Sequence, residues 1–110
     1  MITRYALFEG RIRDGQTEAF RAAVLERLVP IWKSFAGNLE VAVTFSESRD
    51  EGAPELPLIL AISYPDIPTM EAALASPERE RAKAVTGEIV ATHFDGIIHH
   101  HVTRANRFAA

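Results

Sequence analysis

Residues 58–78 have the sequence LILAISYPDIPTMEAALASPE, which holds one strand and the starts of two helices. The first seven residues, 58–64, are a nearly continuous apolar run of strand length, and this is typical of a strand that is covered on both faces. Pro65 and Asp66 are expected to end the strand. The residues that follow, 68–75, predict a short helix.

The sharpest local signal in the chain is the tripeptide Ser76-Pro77-Glu78. It places a capping hydroxyl before a helix, a proline at its first position and an acid in its first turn. The helix is predicted to run to about Phe94. Its apolar arc consists of Ala82, Val85, Ile89 and Val90.

The N-terminal half has a similar order of elements. Residues 2–12 predict a central strand, and an apolar arc that repeats at 100° per residue predicts a helix over 17–35, bent at Pro30. Strict alternation predicts a half-buried strand over 39–46. After a turn at Asp95-Gly96, residues 97–103 predict the last strand.

The predicted order is strand, helix, strand, strand, helix, strand. This order defines an α+β, ferredoxin-like βαββαβ fold, with a four-stranded antiparallel sheet and both helices on one face. Several strands are apolar on both sides, so the second sheet face needs a cover, and another copy of the chain is the simplest one. We expect one domain over 1–104, a tail over 105–110, and a homodimer.

The composition narrows the classes of function. The 110 residues contain no cysteine, which excludes disulfides and thiolate metal sites. The net charge is -3 with both signs interspersed, so no basic stripe is available for nucleic acid. No signal peptide and no long apolar run are evident, so we expect no membrane segment and a cytoplasmic protein. Phosphate loops, nucleophile elbows and dinucleotide fingerprints are also missing.

The order of elements, the length and two segments carry a family resemblance. Residues 63–66 (Ser-Tyr-Pro-Asp) and 72–78 (Ala-Ala-Leu-Ala-Ser-Pro-Glu) are similar to dimeric α+β barrel proteins, chiefly the EthD-like and antibiotic-biosynthesis-monooxygenase-like branches. The resemblance implies two sheets packed face to face as a barrel, and a small-molecule pocket between sheet and helices. Members include cofactor-free oxygenases, haem-degrading enzymes and cyclases. Trp32 lies on the first helix, which departs from the haem-degrading pattern, and no cofactor is expected.

All four histidines lie in the last 18 residues: His93, His99, His100 and His101. Because neighbouring side chains of a strand point to opposite faces, His99 and His101 share one face and His100 takes the other. A metal needs three or four converging ligands, and the sequence supplies only two on one face, so no metal site is predicted. His99 and His101 remain candidates for ligand contact or for structural roles at an interface.

His93 and His100 are the candidate catalytic residues. By helical phase His93 should point at the sheet, and His100 could approach the same cleft if it faces the helices. Tyr5 or Tyr64 could add a hydroxyl, and such a cluster could perform acid/base chemistry on a small aromatic or carbonyl compound. The alternative for His93 is a helix-end histidine bonded to a carbonyl.

Arg27 lies in the apolar arc of the first helix, where it could bind an anionic ligand or extend to the rim. Leu25, Val29 and Trp32 form a second apolar strip, which helix or dimer packing explains better than ligand stacking. Three functions stay open at this point. They are a small-molecule enzyme with acid/base or cofactor-free oxidative chemistry, a non-catalytic ligand-binding or accessory dimer, and a haem- or metal-binding protein.

Overall fold

Four strands form one antiparallel sheet in the computed structural model, which describes residues 1–110. The strands are β1 (Ile2–Ile12), β2 (Glu40–Phe45), β3 (Leu58–Tyr64) and β4 (Phe94–Arg104). Their order across the sheet is β2-β3-β1-β4, so β1 and β3 are central and β2 and β4 are edges. The helices are α1 (Thr17–Ala23), α2 (Val29–Lys33), α3 (Ile67–Leu74) and α4 (Pro77–His93), with a π-helical segment Val24–Leu28 between α1 and α2. The predicted ferredoxin-like α+β fold is confirmed.

The strand register assigns each side chain to a face of the sheet. Ala6 lies opposite Leu60 on β3 and His100 on β4, and these three side chains share one face. This helix-covered face contains most of the buried strand residues, among them Phe8 and Leu58. The alternation that places His100 away from its two neighbours is as predicted.

An aromatic cluster joins the first helix to the sheet. Phe20 of α1 is fully buried, and its ring centroid lies 6.1 Å from that of Phe94. Phe94 in turn lies 5.9 Å from Phe8 of β1. Full burial of an aromatic side chain contributes about 1.5–3 kcal/mol, so this cluster is a principal reason that α1 stays on the sheet.

The first helix is interrupted before Pro30 by a π-helical segment, where the sequence predicts a bend at Pro30. The turn before the proline widens into the π-helical segment, where the backbone N–H of Val29 donates to the carbonyl of Val24. Helix α2 then starts with Pro30 in its first turn, where no N–H donor is needed. The widened turn also shifts the phase of every later residue of the helix.

The second half follows the capping signals closely. The Asp66 side chain accepts a hydrogen bond from the N–H of Thr69, and Ser76 caps α4 in the same way. The turn predicted at Asp95-Gly96 is wrong, because β4 begins at Phe94 directly after the helix. Gly96 instead pairs with Gly10 on β1, and a Cβ at either glycine would collide with the opposite backbone.

The second face of the sheet carries no helix. Its side chains alternate with the buried ones and include Tyr5 and Leu7 of β1 and Ile59 of β3. Two small polar residues there, Thr3 and Ser63, are buried and hydrogen-bonded to each other at 2.9 Å. We call this surface the open face.

None of the helices is long and apolar enough to cross a bilayer.

Candidate functional site

A cavity of about 380 Å³ lies between the helix-covered face of the sheet and helices α2 and α4. Its volume falls within the range of small-molecule sites, about 300–1,000 Å³. Nine of the 15 lining residues are hydrophobic, so the walls suit an apolar ligand body. The largest apolar side chains in the walls are Phe8, Trp32, Phe35, Leu60, Ile62 and Ile98.

Three cationic side chains also line the cavity, and no carboxylate does. They are Arg4 from β1 and Arg79 and Lys83 from α4. Lys83 is exposed and lies 3.7 Å from Glu80. Arg4 and Arg79 are half-buried, and neither side chain forms an ion pair or a hydrogen bond within the protein. The cavity therefore contains positive charge that the chain itself leaves uncompensated.

The two arginines influence each other and their neighbours. Burial, followed by the like charge of Arg79, lowers the pKa of Arg4. Burial also raises the pKa of Tyr64, while the nearby charges of Arg4 and Arg79 act in the opposite direction. All three groups therefore lie within electrostatic reach of one another at this end of the sheet.

His100 extends from the edge strand β4 into the wall of the cavity, where solvent still reaches its ring. Desolvation by its surroundings, and then the charges of Arg4, Arg79 and His99, lower the pKa of His100 to about 4. The imidazole is thus neutral at pH 7. No protein group is hydrogen-bonded to either ring nitrogen, so one nitrogen is free to accept a proton from a ligand.

The two tyrosines lie on opposite faces of the sheet. Tyr64 is buried on the helix-covered face, close to Arg4 and Arg79, but it does not line the cavity. Tyr5 lies on the open face, beside His101 on β4. Tyr64 is therefore next to the site, and Tyr5 is separated from it by the sheet.

His93 does not share a cleft with His100, and this part of the expectation is wrong. It is the last residue of α4, and its Nδ1 lies 2.7 Å from the side-chain oxygen of Gln16. Its ring meets the edge of Phe20 at 6.5 Å between centroids. These contacts fix the helix end against the start of α1. His93 is absent from the cavity wall, which agrees with the alternative of a helix-end histidine with a hydrogen-bond acceptor.

His99 and His101 share the open face, as alternation predicts. The Nε2 atom of His99 lies 3.1 Å from a carboxylate oxygen of Glu9, and both side chains are partly exposed. No set of three or more potential metal-ligating side chains converges anywhere in the structure. The face that carries these two histidines is thus separate from the cavity.

Arg27 leaves the apolar arc in which its sequence position placed it. It lies within the π-helical segment, and its guanidinium forms an exposed ion pair with Glu88 of α4. It does not line the cavity. The widened turn rotates Arg27 outward, because regular helical phase does not hold across a π-helical segment.

Among the 15 residues of the cavity wall, sequence reasoning named only His100 as a site candidate, and three of the others are informative. Trp32 was assigned to a packing strip, but the phase shift after the π-helical segment turns it inward, where it is buried. Arg4 alternates in step with Ala6 and Phe8 along β1. This spacing could have predicted that its side chain lies on the helix-covered face. Arg79, the third residue of α4, could be located only once the helix docked on the sheet.

A larger groove of about 720 Å³ lies beside the loop before β3, and its lining differs in character. Only two of its 14 lining residues are hydrophobic. Two of its arginines pair with acids of the same groove, Arg11 with Asp14 and Arg49 with Glu55. The groove is a polar surface in which the guanidinium of Arg21 donates to the carbonyl of Ser46 but keeps a buried Nε without a partner. The cavity is the stronger candidate site, because its walls are mostly hydrophobic and could hold an organic ligand.

Similarity to known proteins lies in the fold. No protein-family model and no curated protein sequence matches the chain. Among solved structures, an EthD family protein from Bacillus halodurans superimposes with a TM-score of 0.72 at 18% identity, covering 96% of this chain and 99% of that one. An antibiotic biosynthesis monooxygenase superimposes with a TM-score of 0.62 at 17% identity, covering 97% and 100% of the two chains.

A third similar structure has the same fold. It is a dimeric protein of unknown function with a ferredoxin-like fold from Bacteroides fragilis, with a TM-score of 0.58 at 13% identity and coverage of 91% and 93%. The resemblance to EthD-like and monooxygenase-like proteins is thus confirmed at the level of fold. At these identities the likeness defines the architecture, and the chemistry has to be argued from the cavity.

Proposed function

We propose that the protein is a small-molecule enzyme that binds a small aromatic or carbonyl compound in the cavity and removes a proton from it through His100. The observation that carries the proposal is a neutral imidazole in an apolar cavity, with both ring nitrogens free of protein partners and two unpaired arginines nearby. Perturbed histidines in clefts are frequent participants in acid/base catalysis.

Arg4 and Arg79 would assist proton removal by stabilising the anion that it leaves. Deprotonation of a carbon or oxygen acid leaves an enolate or phenolate, whose negative charge Arg4 and Arg79 would stabilise. A low pKa makes His100 a weak base toward water, but it also keeps the acceptor form fully populated at pH 7. The developing anion would raise the basicity of His100 as the proton moves, because opposite charges favour each other.

This step would suit cofactor-free oxidative chemistry, in which a stabilised carbanion reacts further, as well as simple isomerisation. A non-catalytic ligand-binding protein is the alternative, and the cavity by itself would serve both roles. The position of His100 in the cavity wall, together with its lowered pKa, favours the enzyme, because a perturbed histidine in a cleft can exchange a proton with a bound ligand.

The fold also supports a homodimer as the working form. The open face presents Tyr5, Leu7 and Ile59 without a covering layer, and a second open face would bury them. The similar ferredoxin-like protein from Bacteroides fragilis is described as dimeric. We propose that two copies pack through their open faces, which leaves each cavity on the outer, helical side of its sheet.

Proton removal is tested by hydrogen–deuterium exchange of an enolisable ketone. With 2-tetralone as the probe in D2O, NMR should show exchange at the α-carbon faster with protein than in buffer. His100→Gln should slow the protein-dependent exchange about 10²–10⁴-fold. In His100→Ala, added imidazole should restore part of the rate, since solvent reaches this side of the cavity.

Two results would count against the proposal. If 2-tetralone binds but exchanges no faster than in buffer, the site is a binding site only. If His93→Gln loses exchange while His100→Gln retains it, the proton acceptor is His93 and the assignment to the cavity is wrong.

A further inference from the structure

Arg4 and Arg79 differ from the arginines that form ion pairs within the protein. Arg11, Arg13, Arg27 and Arg49 each lie within ion-pair distance of an Asp or Glu. Arg4 and Arg79 have no such partner, although they are half-buried and near each other. Charged groups that lose water without gaining a partner destabilise a fold, so an arrangement of this kind points to a role in binding.

Two further features increase the positive field. Arg79 is the third residue of α4, at the helix end that carries partial positive charge and favours anions over cations. Lys83, one turn further along the helix, extends the charge to the rim of the cavity. None of the residues that line the cavity is acidic, so the field inside it is positive from both the strand side and the helix side.

We propose that the cavity selects small aromatic or alicyclic monocarboxylates, with Arg4 and Arg79 binding the carboxylate and the apolar walls holding the ring. This inference rests on the proposed function and specifies its substrate class. A guanidinium donates two parallel hydrogen bonds to a carboxylate, which gives orientation as well as attraction. The apolar walls, including Phe8 and Trp32, exclude ions that lack a hydrophobic body.

Carboxylate binding would also change the state of His100. The charged groups beside it in the cavity wall are Arg4 from β1 and Arg79 and Lys83 from α4, and His99 acts on it from the opposite face of its own strand, with no acid among them. A bound carboxylate neutralises the field of the two arginines and so raises the pKa of His100 from about 4, while the desolvation that is the larger cause of the low pKa remains and keeps the imidazole neutral at pH 7. Carboxylate binding should therefore leave the proton acceptor in place at pH 7, and it should tighten, with proton uptake, as the pH falls toward 5.

The experiment uses Trp32, the single tryptophan of the chain, as a fluorescent reporter in the cavity wall. Phenylacetate and 3-phenylpropanoate are titrated against their primary amides, which are neutral and of similar shape, and against inorganic phosphate. The carboxylates should bind about 10- to 100-fold more tightly than the amides, as expected for charge-assisted hydrogen bonds. Phosphate should bind weakly because it has no apolar body.

Arg4→Gln and Arg79→Gln should each bring carboxylate affinity close to amide affinity while leaving amide affinity in place. Arg81→Gln is the matched control, since Arg81 is exposed on the same helix and contacts no acid. Circular dichroism establishes whether each variant is folded. If Arg4→Gln does not fold, Arg79→Gln alone is sufficient for the test.

Equal affinity for carboxylates and amides, absence of binding by both, or an equal effect of Arg81→Gln would overturn the inference. The proposed function can fail separately. Ketone exchange with no carboxylate preference would refute only the substrate class, whereas carboxylate preference without exchange would refute the proton-removal step and leave a carboxylate-binding site.

Discussion

The uncompensated pair of arginines predicts a measurable repulsion in the free protein. Two like unit charges repel by about 1 kcal/mol at 4 Å in water and by several times that in a less polar medium. Both side chains are only half-buried, so solvent screens the two charges, and we expect a repulsion of at most about 1 kcal/mol. Relief of this repulsion should therefore stabilise the empty protein.

A double-mutant cycle isolates this term. Arg4→Gln, Arg79→Gln and the double variant are compared with the parent by urea unfolding at pH 7.5 and low salt. Either single change removes the repulsion. The effect of the second change on the free energy of unfolding should therefore be less stabilising, by up to about 1 kcal/mol, in the first variant than in the parent. The effect of Arg79 on the helix dipole is the same in both backgrounds and cancels.

Salt and a control pair sharpen the assay. At 0.5 M NaCl the coupling between Arg4 and Arg79 should fall well below its low-salt value, because the Debye length shortens to a few ångströms. The Arg4 and Arg81 pair should show no coupling at either salt concentration. A coupling indistinguishable from zero at low salt, or one that salt leaves unchanged, would refute the reasoning.

Three further outcomes are expected. Phe20→Ala should cost about 3–5 kcal/mol in urea unfolding, because Phe20 is fully buried against Phe94; a loss below 1 kcal/mol would contradict its place in the core. Leu7→Lys should turn a dimer into a monomer in sedimentation experiments, since it puts charge on the open face; a monomeric parent protein would remove the basis for the dimer. His100 has a native pKa of about 4, below that of an unfolded histidine, so the unfolded chain binds more protons between the two values. Stability should fall as the pH drops through this window, and His100→Gln should show a smaller fall; equal falls in both proteins would count against it.

Most of the fold was predictable from local signals. Residues 58–64 form β3 with the predicted bounds, and Ser76 caps α4 as expected. Both signals are short-range, since an apolar run and a capping hydroxyl act on neighbouring residues. β4 was mispredicted at its start because Asp95-Gly96 is typical of a turn, whereas pairing with β1 places it in the sheet.

The site was predictable only in part, for a geometric reason. Strand alternation correctly placed His100 on the opposite sheet face from His99 and His101, because β4 pairs with β1 in one continuous register. Regular helical phase does not hold through the π-helical segment, so Trp32 was expected in a packing strip instead of the cavity wall, and Arg27 was left between a ligand contact and the rim. His93 lies at a helix end, where small errors of phase decide which neighbour a side chain meets. The pairing of Arg4 with Arg79 depends on helix docking, which no local pattern encodes.

The titration of His100 followed by NMR of ring-labelled histidine is the most direct test of the charged cavity. The four histidine signals are assigned by single His→Gln variants, and the pH is varied from 3.5 to 8. His100 should titrate near pH 4 in the free protein and at a clearly higher pH with saturating phenylacetate. An ordinary titration near pH 6.5 that phenylacetate leaves unmoved would contradict the account.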